Sequence, residues 1–114
     1  MKIGITFCML CFALTMHAQS IAGVWNTGQE NTKIEITENN GVYSGKIISS
    51  DNAQVKIGKQ FIKDVNFAGG EWKGKMYSPK KDKWYNAVLE AKGGQLLVTI
   101  KSGWMSKTVT WKKE

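Results

Sequence analysis

Arginine is absent from this 114-residue chain, and proline, histidine and cysteine nearly so: one Pro79, one His17, and Cys8 and Cys11. Lacking arginine, the chain has no planar fork for gripping phosphate at two points. His17 and both cysteines fall within the first 18 residues. From residue 19 onward there is neither imidazole nor thiol. The usual zinc and copper ligands, and the imidazole base of the common triads, are therefore missing there. No disulfide framework is available either, so apolar burial must carry the stability.

The first residues, MKIGITFCMLCFALTMHAQS, have one early positive charge at Lys2 and an apolar run from Ile3 to about Met16. Small or polar residues follow at Ala18, Gln19 and Ser20. That is the layout of a secretory signal peptide, residues 1–18, cut after Ala18 with Gln19 as the alternative. The run is shorter than the roughly 20 residues a spanning helix needs, so no stable membrane insertion is expected after cleavage. Cys11 follows Leu10, not the small residue expected before a lipid-modified cysteine. The expected product is exported, periplasmic or secreted, with one domain over residues 19–114.

About 96 residues remain, enough for one modest core. They hold fifteen lysines and nine acidic residues, a net charge of +6. The lysines are spread singly, with short pairs only at Lys80–Lys81 and Lys112–Lys113. That spacing reads as a solvated face, and no nucleic-acid partner is expected.

Sustained helical periodicity is missing too. Alternation with a period of two recurs instead. Ile34 and Ile36 share one face, as do Leu96, Val98 and Ile100, and Val109 with Trp111. Asn39-Asn40-Gly41, Ala68-Gly69-Gly70 and Lys92-Gly93-Gly94 are hairpin signals, and Ser78-Pro79-Lys80-Lys81-Asp82 is a further turn. Eight strands are predicted, at 22–27, 32–38, 42–49, 54–66, 71–78, 83–91, 95–102 and 107–113, with 54–58 the segment closest to loop. Short connections favour an all-β, antiparallel, up-and-down meander, and closure would remove its exposed edges.

One pattern occurs twice: GVYSGKIIS from Gly41 and GEWKGKMYS from Gly70. Each is the return strand of a predicted hairpin. Alternation places Tyr43, Gly45 and Ile47 on one face, and Trp72, Gly74 and Met76 on the equivalent face. A glycine inside a strand marks a bend, bulge or close approach. The expectation is a packing device that coils the sheet and leaves room for an aromatic ring over the bare backbone.

Gly23-Val24-Trp25 resembles the opening Gly-x-Trp of lipocalin-type barrels. The order GVW, NNG with YSGKI, WKGKMYSP, KWY and TVTWKK is similar to the exported bacterial family catalogued as domain of unknown function 2147, over roughly residues 21–113. That family usually reads Tyr-Asp-Pro and then Gly-Lys-x-Tyr, where this chain has Tyr77-Ser78-Pro79 and Asp82-Lys83-Trp84-Tyr85. It usually ends on Trp-x-Arg, here Trp111-Lys112-Lys113, and is longer between residues 50 and 60. The resemblance implies export and a lipocalin-like (calycin-type) eight-stranded barrel, and no established activity.

Carboxylates are the remaining catalytic option, with Asp51, Asp64, Glu71, Asp82 and Glu90 as candidates. Most fall at turns or outward positions, so no enzyme is expected, and no cofactor or metal. Aromatics carry the functional interest. Trp25, Tyr43, Phe67, Trp72, Tyr85 and Trp111 are expected to point inward. Trp104, in the turn Gly103-Trp104-Met105-Ser106, is either a contact surface or a lid over one barrel end; Trp84 competes with Tyr85 for the inward position. The expected role is binding a small apolar or amphipathic ligand at an aromatic-lined interior or mouth, with Trp25, Tyr43, Trp72, Tyr85, Trp104 and Trp111 as the site. The alternative is a packed barrel that uses its outer surface on an anionic envelope component or a protein.

Overall fold

The computed structural model describes residues 20–114. The expected signal peptide and its cleavage point lie outside the described residues. Eight strands run in order: β1 (Gly23–Asn26), β2 (Lys33–Asn39), β3 (Val42–Ser49), β4 (Gln60–Ala68), β5 (Glu71–Ser78), β6 (Lys83–Lys92), β7 (Gln95–Ser102) and β8 (Met105–Lys113). Each pairs antiparallel with the next, and β8 returns to β1, closing the barrel. The expected bounds agree to within two residues except at the start of the fourth strand. The fourth strand starts at Gln60, because residues 50–59 form a folded loop, and the last begins at Met105.

The alternation read from sequence is realised. Ile34, Ile36, Leu96, Val98 and Trp111 are buried inside, with Ile47, Ile62, Val65, Ala87 and Leu89. The outward positions of adjoining strands carry Glu35, Lys46, Lys63 and Lys75. A barrel that spans a membrane has the reverse arrangement, an apolar band outside.

In β4 a uniform period of two would turn Asp64 inward after Ile62. Instead Asp64 takes φ 55, the register with β5 shifts between Lys63 and Asn66, and Val65 is buried in its place. This is a β-bulge, one extra residue that re-aims the side chains beyond it. It keeps a carboxylate in water and gives the core an aliphatic residue.

The repeated glycines answer to close approach. A Cβ on Gly74 would lie 2.8 Å from the Lys63 carbonyl oxygen and 2.9 Å from the Val65 Cα, both on the bulged strand. One on Gly45 would meet Ile34 and Ile36 side-chain carbons at 3.1 and 3.2 Å. The space over both glycines is filled by aliphatic residues and β4 backbone. The expected aromatic ring does not lie there, because β4 runs between the two repeats and occupies it.

Closure is brief: β1 and β8 share two register pairs, Trp25 with Lys113 and Asn26 with Lys112. Side chains reinforce the seam. The Trp25 indole donates to the Ile21 carbonyl at 3.0 Å, and Lys113 Nζ lies 4.9 Å from the Trp25 ring centroid. Lys33 pairs with the Glu114 carboxylate at 3.1 Å, and Asn26 Nδ2 donates to it at 3.1 Å. These two contacts hold the Glu114 carboxyl below its usual range.

Two outcomes are expected. Gly74→Ala forces backbone to move and costs about 1–3 kcal/mol by denaturant unfolding, more than Gly45→Ala, whose nearest neighbours are isoleucine side-chain carbons at 3.1–3.4 Å and no backbone atom. Because the folded-state pKa of Glu114 is lowered, its contribution is complete above the unfolded value of about 4.3 and is lost as pH falls through the folded one. Unfolding midpoints of wild type and Glu114→Gln, measured from pH 7 to pH 3, should therefore converge at the acid end.

Candidate functional site

Up-and-down topology sorts the connections between two ends. At one end lie the tight turns Asn40–Gly41, Gly69–Gly70 and Gly93–Gly94, every residue of which has positive φ, the two-residue hairpin geometry that matches strand twist. At the other lie the connections 27–32, 50–59 and 79–82 and the turn at Gly103–Trp104.

The tight-turn end is filled. Ile21 is fully buried beneath Trp25. Tyr43 meets Trp72 edge-on at 4.9 Å between centroids, and Phe67 lies 4.9 Å from the same indole. Phe67, expected inward, is 46% exposed, because it sits near the end of β4 at this rim. A shallow recess of about 320 Å³ remains beside Phe67 and Trp72.

The other end is open. A cleft of about 640 Å³ has Ile47, Met76, Val109 and Trp111 in its lining, together with Val55 and Phe61. The 50–59 loop forms one wall. Gly58 N–H donates to the Ile47 carbonyl at 2.7 Å, and the Ile47 N–H donates to the Lys59 carbonyl at 3.0 Å. Asn52 Nδ2 donates to the Glu30 carboxylate at 2.9 Å, and Asn52 Oδ1 accepts from the Gln54 N–H at 2.9 Å. The Thr32 and Ser50 hydroxyls share a hydrogen bond of 2.7 Å. The loop is thus tied both to β3 and to the β1–β2 connection. Polar groups rim the apolar floor: Gln29, Glu30, Asn52, Gln54, Lys56 and Lys59.

An aromatic row that begins in the cleft lining, with Phe61 and Tyr77, crosses three strands to Trp84. Phe61 and Tyr77 lie 6.4 Å apart, and Tyr77 and Trp84 5.4 Å. Lys59 Nζ sits 4.2 Å from the Tyr77 centroid, and Lys63 Nζ 4.2 Å from that of Trp84. The Tyr77 hydroxyl donates to Asp82, and this bond to an anion raises the Tyr77 pKa.

The six candidate aromatics do not form one site. Trp111, 3% exposed, lines the open cleft. Tyr43 and Trp72 meet at the opposite end, and Trp25 is buried as a structural residue of the seam. Tyr85 is half-buried and pairs with Met76 across β5 and β6, outside the lining. Trp104 is 92% exposed at the β7–β8 tip, which rules out its reading as a lid. The cleft recruits Phe61 and Tyr77, outside the expected six, and the aliphatic residues Ile47, Met76 and Val109. The signal for Ile47 and Met76 was the repeat itself, whose Gly-Lys-apolar triplets end on them. Among the described residues no three His, Cys, Asp or Glu side chains cluster as metal ligands.

These features define a class: a small, closed, eight-stranded antiparallel barrel of lipocalin-like form, plugged at one end and open at the other. The chain belongs to the bacterial family of domain of unknown function 2147, described as an uncharacterized protein conserved in bacteria, whose model matches residues 23–113. No curated protein matches it.

The Asn52 side chain makes two bonds in the cleft wall, one of them across to Glu30. Asn52→Ala should cost about 1 kcal/mol and speed amide hydrogen exchange across 50–59 while leaving β6 and β7 protected.

Proposed function

We propose that the protein binds one small amphipathic molecule in the open cleft. The observation that carries this reading is the 640 Å³ space over the Trp111 floor, within the usual range for small-molecule sites. An eight-stranded barrel can fill its interior or hold one small ligand, and this one is filled at only one end. The lining suits a molecule with two characters. An alkyl or ring portion fits against Ile47, Met76, Val109 and Trp111, and a polar head fits at the rim. Lys56 and Lys59 outnumber the Glu30 carboxylate, which already accepts from Asn52, and favour an anionic head there over a cationic one. Binding without chemistry accords with the residue types at the site, and an exported location accords with the signal-like first 18 residues.

Dodecanoate is a suitable probe. Calorimetric titration should give saturable one-to-one binding that persists at 0.5 M salt, since burial of the chain dominates. Val109→Trp, at a half-buried position on the cleft lining, should weaken binding at least tenfold, with circular dichroism confirming that the variant keeps its strands. Lys59→Met should weaken dodecanoate but leave dodecanol unaffected. Equal binding of dodecanoate by wild type and Val109→Trp would overturn the assignment.

A further inference from the structure

The β7–β8 hairpin projects from the open end. Every residue from 101 to 108 is exposed, and its tip holds the two most exposed neighbouring apolar side chains, Trp104 at 92% and Met105 at 56%. Lys101 and Lys107 stand behind the tip on its two strands, and Lys101 pairs with Ser106. The adjacent hairpin, β5–β6, brings exposed Lys80 and Lys81 to the same end; Asp82 beside them accepts from the Tyr77 hydroxyl and keeps its charge, and with exposed Glu30 and Asp51 it is outnumbered by the lysines of this end. Ile57, 60% exposed on the 50–59 loop, faces solvent there too. At the opposite end the lysines beside the tight turns, Lys73, Lys92 and Lys112, are matched by Glu38, Glu71 and Glu90.

We propose that this end docks on the surface of an anionic lipid bilayer, with Trp104 and Met105 entering the headgroup–acyl boundary and the lysines resting among the headgroups. The order of the side chains supports this occupant. Apolar groups lie at the apex, with cations set back by two or three residues along each strand. That order repeats the layering of a leaflet, an apolar boundary beneath an anionic surface. Tryptophan favours that boundary, since its ring is apolar and its N–H polar. Lysine stems can lie along the apolar layer while the ammonium groups stay at the phosphates. A soluble polyanion would engage the lysines and leave Trp104 and Met105 in water. Docking rests on the rim alone and is independent of whether the cleft is occupied.

Co-sedimentation with phosphatidylcholine vesicles, and with vesicles carrying 30% phosphatidylglycerol, tests the proposal. The protein should bind the anionic vesicles preferentially, and brominated acyl chains should quench its fluorescence. Trp104→Ser should bind about tenfold more weakly and lose most of that quenching. Replacing Lys101 and Lys107 with Gln should weaken binding about fivefold per lysine. Both sites are exposed, so melting temperatures should match wild type. Equal binding to both vesicles, no binding, or Trp104→Ser binding as wild type with quenching intact would overturn it. Retained binding by Trp104→Ser, abolished by dextran sulfate, would assign the surface to polyanions instead.

Discussion

The first and last strands meet over only two register pairs, Trp25 with Lys113 and Asn26 with Lys112, and the interior exists because that short seam holds. Open the seam and two edges appear, ready to pair with other chains. The polar contacts around it involve exposed groups, and such ion pairs contribute little individually. Burial of Trp25 supplies more. A ring of that size, removed from water and with its N–H satisfied by Ile21, is worth a few kcal/mol and fixes the angle at which β1 meets β8. Lys113 adds to the same point, its Nζ lying over the ring and 3.4 Å from the Ala22 carbonyl. The seam is thus an apolar joint with polar stitching.

Closing there divides the interior. The end nearest Ile21 and Trp25 receives the bulky residues, with Tyr43, Trp72 and Phe67 packed edge-on and tilted across β3, β4 and β5. The far end receives Ile47, Met76 and Val109, which are too small to meet across it. Both copies of the repeated pattern run from the filled end to the open one. In each, an aromatic packs near the tight turns, a glycine lets β4 pass closely, and an aliphatic residue faces the cleft. One short motif, used on the two strands that flank β4, therefore sets both the plug and the floor.

Much of this was legible in the sequence. Alternation at Ile34–Ile36, Leu96–Ile100 and Val109–Trp111 located the inner face, and the Asn-Gly and Gly-Gly pairs located three hairpins. The features that escaped depended on pairing partners that alternation within one strand does not reveal. The bulge at Asp64 exists because Val65 packs over Gly74, a contact between strands. The residues over Gly45 and Gly74 belong to β2 and β4, so an aromatic guess had no means of being corrected. The cleft wall is a loop whose form comes from bonds to Glu30 and Ile47, distant in sequence. The lysines are the clearest case. They are evenly scattered along the chain, yet a meander sends alternate connections to opposite ends. The open end gathers Lys56, Lys59, Lys80, Lys81, Lys101 and Lys107 against Glu30, Asp51 and Asp82, while the lysines beside the tight turns are largely offset by Glu38, Glu71 and Glu90, so an even sequence yields an uneven surface.

Trp104 shows how register constrains what a residue can do. Ser102 pairs with Met105 and Lys101 with Ser106, so the turn contains only Gly103 and Trp104. Gly103 takes φ 64, as such a turn demands, and nothing is left over to let the tip fold back. For Trp104 to cover the cleft, the hairpin would have to break successive ladder pairs, each worth about 1 kcal/mol, with Val109 and Ile100 already facing the interior below. The indole therefore stays outside whatever occupies the cleft. An exposed ring held on a stiff hairpin loses little entropy on contact, so the geometry that prevents it from being a lid also suits it to meet a surface.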